Sequence, residues 1–378
     1  MGIFLDKAKL LPDYLPPKLP HRERERKKLE EFFSDFFEGR VGPRVLLVGS
    51  VGVGKTSLSQ SFGRDAEKRG VPCVYVNCRI TRSPFLILVE AVRKFYPSFP
   101  SRGFSAEEAL GTLVEHLGRH GRRLLLILDE LDYLVESEGP DFLYLLTRYP
   151  EKNPEARRIG LLATCKGESF LNRLDAATRG TFFHNLIELS RYSADQLFDI
   201  LVYRAGEAIA PGKVERETLR LIADMASGTG DARFALEILY RAGCLAEQQG
   251  KPKILPDHVR EAKASIYPEL KKHILQELRQ QEILSLLAVA RRLRSTKAAY
   301  TTAKEAYETY RVACEEYGVS PLAYTRFWDN LERLRALGLL TAKQFRARGL
   351  TTLLSIEEAP VEVLIPELEH LVGGQAHN

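Results

Sequence analysis

RVLLVGSVGVGKTSL, from Arg44 to Leu58, decides the fold of this 378-residue chain. An aliphatic run leads into Gly49 to Thr56, which follows the pattern GxxxxGKT, and then into residues able to enter a helix. The segment reads strand, glycine loop, helix. Glycines let the backbone curl until several N–H groups converge on one anion, and the helix N-terminus adds its partial positive charge. Gly52, Val53, Gly54, Lys55, Thr56 and Ser57 are therefore the candidates to cradle the polyphosphate of ATP or ADP. Lys55 would reach the β- and γ-phosphates, and the Thr56 hydroxyl would ligate a bridging Mg2+.

RLLLILDELD, Arg123 to Asp132, supplies the acidic partner. Its five consecutive aliphatic residues suit a strand buried on both faces of a parallel sheet. Asp129, at the carboxyl end, is the candidate metal partner, directly or through water, and Glu130 the candidate base that orients an attacking water. VPCVYVNC (Val71 to Cys78) and RIGLLAT (Arg158 to Thr164) read as two more buried strands. Aliphatic strands alternating with helical stretches predict an α/β doubly wound parallel sheet with nucleotide at the strand carboxyl ends.

The length predicts two or three domains. With 44% hydrophobic and 28% charged residues, wholesale disorder and collagen-like repetition are excluded. The longest uninterrupted aliphatic run, Leu124 to Leu128, falls far short of the roughly 18 to 20 apolar residues of a spanning helix. The N-terminus has no apolar stretch of signal-peptide length, so a cytoplasmic protein with no membrane partner is expected. Cys73, Cys78, Cys165, Cys244 and Cys314 are scattered and odd in number, which suits reduced thiols rather than a disulfide framework or zinc site.

The net charge of +5 is an average: residues 1–267 carry +4, residues 268–356 carry +6 and residues 357–378 carry −5. The basic block coincides with a change of pattern. A helix is expected from about Gln276, a second from Thr301 through Glu316, and a third capped by Ser320 with Pro321 in its first turn, running to about Leu337. LGLLTAKQFRARGLTTLLSI then reads as two short strands around a basic tip, completing a winged helix-turn-helix. Tyr324, Thr325 and Arg326 would face the major groove, and Lys343, Arg346 and Arg348 would lie along phosphates or the minor groove. Phe327 and Trp328 read as core.

Beyond the phosphate loop, the chain resembles the AAA+ ATPases, and within them the archaeal replication initiators of the origin recognition complex and cell-division-control type. The resemblance rests on YLPPKLPHRERERKKL (Tyr14 to Leu29), DELD (Asp129 to Asp132), LDAATRG (Leu174 to Gly180), RYSADQLFDILVYRAGEAI (Arg191 to Ile209), GDARFALEILYRAG (Gly230 to Gly243) and YTTAKEAYETYRVACEEYG (Tyr300 to Gly318). It implies an AAA+ core over 1–190, a small α-helical lid over 191–267 and a winged helix over 268–378. It also implies that Leu19 to Arg22 border the adenine, that Tyr192 packs near the base or serves as a packing aromatic, and that Arg204 completes the nucleotide pocket. Arg233 would be the lid arginine that contacts the γ-phosphate. Arg179, or alternatively Arg173, would act on a neighbouring subunit's nucleotide. Phe95 to Phe104 would be an insertion touching DNA through Arg102 and Phe104, or else a surface loop anchored by its aromatics.

One departure stands out: Gly167 occupies the position where this family commonly has an asparagine that helps hold the attacking water, with Thr164 and Lys166 nearby as substitutes. A slow ATPase is the expectation. The resemblance implies double-stranded origin DNA, the replicative helicase and initiator paralogues as partners. A signalling ATPase, a transcription regulator or a branch-migration motor would share the phosphate loop and lack the PHRE, GDAR and CEEYG segments.

Overall fold

The structure, a computed structural model, describes residues 2–167, 185–266, 278–346, 350–356 and 360–375, together with 174, 176, 179, 180 and 275. The chain divides into two compact units, one formed by Leu15–Gln196 with Thr229–Ala232, the other by Met1–Tyr14, Leu197–Gly228 and Arg233–Asn378.

The first unit is built on β1 (Arg44–Val48), β2 (Cys73–Asn77), β3 (Leu124–Asp129), β4 (Ile159–Cys165) and β5 (Leu186–Glu188). They form one parallel sheet in the order β2-β3-β4-β1-β5. Helices α1 (Glu23–Phe37), α2 (Lys55–Lys68), α3 (Pro84–Arg93), α4 (Ala106–Arg119), α5 (Leu131–Glu138) and α6 (Asp141–Lys152) cover it. Alternation along each strand explains the unbroken aliphatic runs. Leu46, Val48, Leu124, Leu126 and Leu128 point into a core with Ile87, Leu113, Leu134 and Phe142. Val45, Leu47, Leu125 and Ile127 point to the opposite face, where Phe33, Phe36, Leu58 and Phe62 pack. At Gly160 in β4 a Cβ would lie 3.0 Å from the Phe33 ring and 3.1 Å from that of Phe36, so glycine permits this close helix-to-sheet approach.

In the second unit, α7 (Ala194–Ala208), α8 (Arg216–Ser227), α9 (Ala232–Gln248) and α10 (Pro256–Ile266) precede the C-terminal element series. That series comprises α11 (Gln280–Thr296), β6 (Thr301–Thr302), α12 (Ala303–Glu316), α13 (Tyr324–Ala336), β7 (Thr341–Arg346), β8 (Leu350–Ser355) and α14 (Val361–Gln375). The strands pair antiparallel in the order β6-β8-β7, giving the winged-helix arrangement. Helix α13 begins three residues later than the Ser320 cap predicts. The Tyr310 hydroxyl takes the Leu322 N–H (3.1 Å) and the Tyr307 hydroxyl donates to the Leu322 carbonyl (2.9 Å), which holds Pro321 and Leu322 outside the helix. The acidic tail is more than a charge run: Val361, Leu364, Ile365, Leu368 and Val372 of α14 recur at helical spacing and are buried in the winged-helix core.

Arg260 of α10 is fully buried and ties the helical segment to the winged helix. Its Nε donates to the Ile356 carbonyl (2.9 Å), one terminal nitrogen to the Ala299 carbonyl (3.2 Å) and the other to Asp257 (2.7 Å). The Ala299 N–H in turn bonds Glu217 of α8 (3.0 Å). Removing one partner of a buried ion pair leaves the other uncompensated, at a cost of about 3–5 kcal/mol. Arg260→Ala is therefore expected to lower the unfolding free energy of this unit by that amount in a denaturant titration. A change below about 0.5 kcal/mol, the ordinary surface range, would remove the residue from this role.

Candidate nucleotide site and candidate DNA-facing surface

The loop between β1 and α2 curls because Gly52 (φ 75°) and Gly54 (φ 90°) take left-handed conformations that glycine tolerates. Gly49 is equally constrained, since a Cβ there would sit 2.6 Å from the Leu189 carbonyl oxygen. Lys55 Nζ donates to the Gly49 (2.6 Å) and Ser50 (2.8 Å) carbonyls, folding over the loop. Ser50 Oγ is buried and has no partner among the described residues. A cradle lined by glycines, a lysine and an orphaned hydroxyl suits a polyphosphate.

Strand order brings the metal-side residues together. Asp129 ends β3 only 1% exposed, so each carboxylate oxygen must be satisfied by protein, water or an ion. Three hydroxyls do this: Thr56 Oγ1 (2.9 Å) and Tyr75 (2.7 Å) donate to Oδ2, and Thr164 Oγ1 (2.5 Å) to Oδ1. The Thr164 hydroxyl also accepts the Glu130 N–H (3.0 Å), although Glu130 has the unusual φ of 54°. Asn77 Nδ2 contacts Glu130 Oε2 at 3.5 Å. Burial pushes up the Tyr75 hydroxyl, reinforced by the Asp129 charge, so it stays a donor. Burial likewise pushes the Asp132 carboxyl up. Tyr75 was not singled out in the sequence; its place at the period-2 position beside the end of β2 was the available signal.

Thr56 and Asp129 would together hold the magnesium, since an oxygen-rich pair matches this hard cation. Among the described residues no cluster of three or more His, Cys, Asp or Glu could hold a metal ion, and the cysteines are free thiols. Burial pushes the Cys73 and Cys78 thiols up to about 12, which keeps them protonated and inert.

The remaining expected residues distribute as follows. Tyr192 is buried, and the Arg22 guanidinium lies over its ring at 4.0 Å. Arg204 is buried with Nε on the Lys9 carbonyl (2.9 Å), while its guanidinium lies over the Tyr14 ring (5.0 Å), so its donors hold the N-terminal segment. Arg233 is exposed in the first turn of α9, and Arg179 is exposed; Arg173 lies outside the described residues. In the 95–104 segment Arg93 bonds the Phe99 carbonyl (2.9 Å) and Ser101 (2.7 Å), and Phe104 packs on Phe99 at 5.1 Å, leaving Arg102 exposed.

Tyr324, Thr325 and Arg326 are all exposed on the first turn of α13, while Phe327 is buried and Trp328 half-buried, as expected. Lys343 differs from expectation. Its ammonium is engaged by Asp224 of α8 (3.0 and 3.2 Å), which also accepts the Tyr300 hydroxyl (2.5 Å) and pairs with Arg220 (3.2 Å). Lys343 therefore joins the helical segment to the wing instead of projecting freely. The side chain of Arg346 and the whole of Arg348 lie outside the described residues.

A five-stranded parallel sheet with a phosphate loop, a helical segment and a terminal winged helix defines an AAA+ type of ATPase architecture. Residues 18–158 match the AAA ATPase domain, 198–264 the Cdc6 AAA+ ATPase-type lid domain and 273–364 the CDC6 C-terminal winged helix domain. An ORC1-type DNA replication protein 2 of Saccharolobus solfataricus is 33% identical over 94% of this chain and 90% of its own length. Its namesake in Sulfurisphaera tokodaii is 32% identical over 98% and 92%. The crystal structure of Cdc6p from Pyrobaculum aerophilum superposes with a TM-score of 0.89 at 32% identity, covering 99% of this chain and all of the other. The Aeropyrum pernix ORC1 protein in complex with DNA gives 0.63 at 28% identity, with 97% of each chain covered. The chain belongs to the ORC1/Cdc6 family of AAA+ ATPases.

Thr164→Val keeps the shape but removes a donor to Asp129 and the acceptor of the Glu130 N–H. Leaving a buried donor unpaired costs about 1–3 kcal/mol. The denaturation midpoint is expected to fall accordingly for Val and to recover for Thr164→Ser; equal midpoints for all three proteins would show that this hydroxyl contributes nothing.

Proposed function

We propose that this chain is a nucleotide-switched DNA replication initiator: its AAA+ core holds ATP or ADP with magnesium, and its winged helix grips double-stranded origin DNA. In this reading the bound complex helps load the replicative helicase and meets initiator paralogues on DNA. The observation that carries it is the presence, in one chain, of an Asp129–Thr56–Thr164 site on a phosphate loop and a Cdc6-type winged helix. The A. pernix ORC1 structure contains DNA, and the A. pernix ORC2 protein, 26% identical, is known in ADPNP-ADP complexes.

The division of labour follows from chemistry. Gly52 to Ser57 and Lys55 would neutralise and orient the polyphosphate, and Thr56 with Asp129 would hold magnesium, which supplies charge neutralisation across the β- and γ-oxygens. Glu130 would orient water. Arg233, from the first turn of α9, would report the γ-phosphate to the lid, and Arg179 would serve a neighbouring subunit. The three-part division into core, lid and winged helix is the functional counterpart of this scheme.

Slow turnover is supported by how the substitutes for the family asparagine are used. The Thr164 hydroxyl serves Asp129 and Glu130, and Lys166 Nζ bonds the Tyr133 hydroxyl (2.5 Å). Long-lived nucleotide states suit a switch better than a motor.

Two measurements test the reading. Purified protein is expected to carry or bind ADP, and Lys55→Ala to lose it; a wild-type protein that binds no adenine nucleotide ends the switch hypothesis. In salt titrations on origin duplex, Arg348→Ala and Arg326→Ala are each expected to reduce the slope of log affinity against log salt by up to about one unit. Lys343→Ala should leave the slope unchanged, because Asp224 holds that ammonium. Equal slopes for wild type, Arg326→Ala and Arg348→Ala would remove the winged helix from phosphate contact.

A further inference from the structure

Arg22, the arginine of the PHRE segment, is 4% exposed although it carries a permanent charge. It immediately precedes α1 and follows His21, whose left-handed φ of 64° turns the chain there. Its guanidinium is held by main-chain oxygens from three separate places: Nε donates to Val53 (3.0 Å), one terminal nitrogen to Ser190 (2.8 Å) and the other to His21 (3.1 Å). The flat of the fork rests on Tyr192. A buried arginine used this way acts as a rigid template, because the fork fixes several acceptors relative to one another.

The consequence lies in peptide geometry. In a trans peptide the carbonyl and the following N–H point in opposite directions. Holding the Val53 carbonyl from outside therefore aims the Gly54 N–H the other way. The neighbouring peptide is held in the same manner, since the Ala232 N–H donates to the Gly52 carbonyl (3.2 Å) and so sets the direction of the Val53 N–H. The 230–232 turn is in turn tied to Tyr192, whose N–H reaches the Gly230 carbonyl (3.3 Å). Asp231 fills the space beside Gly52, where a Cβ would lie 1.7 Å from Oδ1. Arg22 thus closes a circuit through the phosphate loop, the GDAR turn and Tyr192.

Resting on the nucleotide reading above, we propose that Arg22 is a positioning residue for the phosphate loop: it presets the loop N–H groups for a nucleoside polyphosphate through the Val53 carbonyl, without needing to touch the base. This assigns the arginine of the PHRE segment to the phosphate end of the site.

The test compares wild type, Lys55→Ala, Arg22→Lys and Arg22→Ala in the full chain, measuring equilibrium binding of a fluorescent ADP with magnesium well below each protein's unfolding midpoint. Losing hydrogen bonds from a charged donor corresponds to a loss of about tenfold or more. Both Arg22 variants are expected to weaken ADP by at least that factor, because lysine keeps the charge and loses the fork. Millimolar guanidinium is expected to restore binding to Arg22→Ala and not to Lys55→Ala. Undiminished affinity in the Arg22 variants, even with a lowered midpoint, would mean a purely structural arginine and overturn the proposal while the nucleotide reading stood. Should Arg22→Ala fail to fold, Arg22→Lys decides by the same criterion. A wild-type protein that binds no ADP brings down both.

Discussion

A carboxylate buried at the end of a doubly covered strand is the constraint on which the first unit turns. β3 is aliphatic on both faces, so it delivers Asp129 into a region where an unsatisfied charge would be costly. Three hydroxyls from three elements meet that requirement. The parallel register places Tyr75 of β2 and Thr164 of β4, and the glycine turn from β1 into α2 places Thr56. Insertion of β4 between β1 and β3 is what sets Thr164 beside Asp129 and also lets it receive the Glu130 N–H.

The same economy governs the buried cations. Arg22, Arg204 and Arg260 are nearly inaccessible, and most of the hydrogen bonds from their guanidinium groups go to backbone carbonyls. Carbonyls at loop ends and strand ends need donors, and a guanidinium supplies several from one plane. These arginines therefore set the angle at which segments meet. In the second unit this ties α8 and α10 to the wing through Arg260 and through Asp224, which gathers Lys343, Tyr300 and Arg220. These contacts join the lid segment to the winged helix within the second unit.

Much of the architecture was legible from the sequence because the signals were local. GSVGVGKT carries its loop geometry in its glycines, and LLLILD carries its burial in an unbroken aliphatic run. The helix expected from Thr301 through Glu316 runs from Ala303 to Glu316, with Thr302 and Glu305 forming a capping box at its start. Pairwise partners were not legible. Lys343 looks like a phosphate contact in a basic hairpin, and only proximity to Asp224, 119 residues away, gives it another role. Arg204 and Tyr192 carry family expectations, and nothing in their sequence context indicated that Arg204 would bond the Lys9 carbonyl or that Arg22 would lie over the Tyr192 ring. The Ser320 cap failed because two tyrosine hydroxyls from α12 compete for Leu322.

By itself, then, the sequence determined the class of fold, the identity of the phosphate loop and its acidic strand, and the presence of a C-terminal winged helix. Each is written in a periodicity or a spacing that short stretches of backbone cannot satisfy otherwise. Tertiary structure alone decided which polar groups serve one another. Hydrogen-bond partners at Asp129, Arg22 and Lys343 are brought within 3 Å by strand order and domain packing, and separation along the chain carries no trace of that distance.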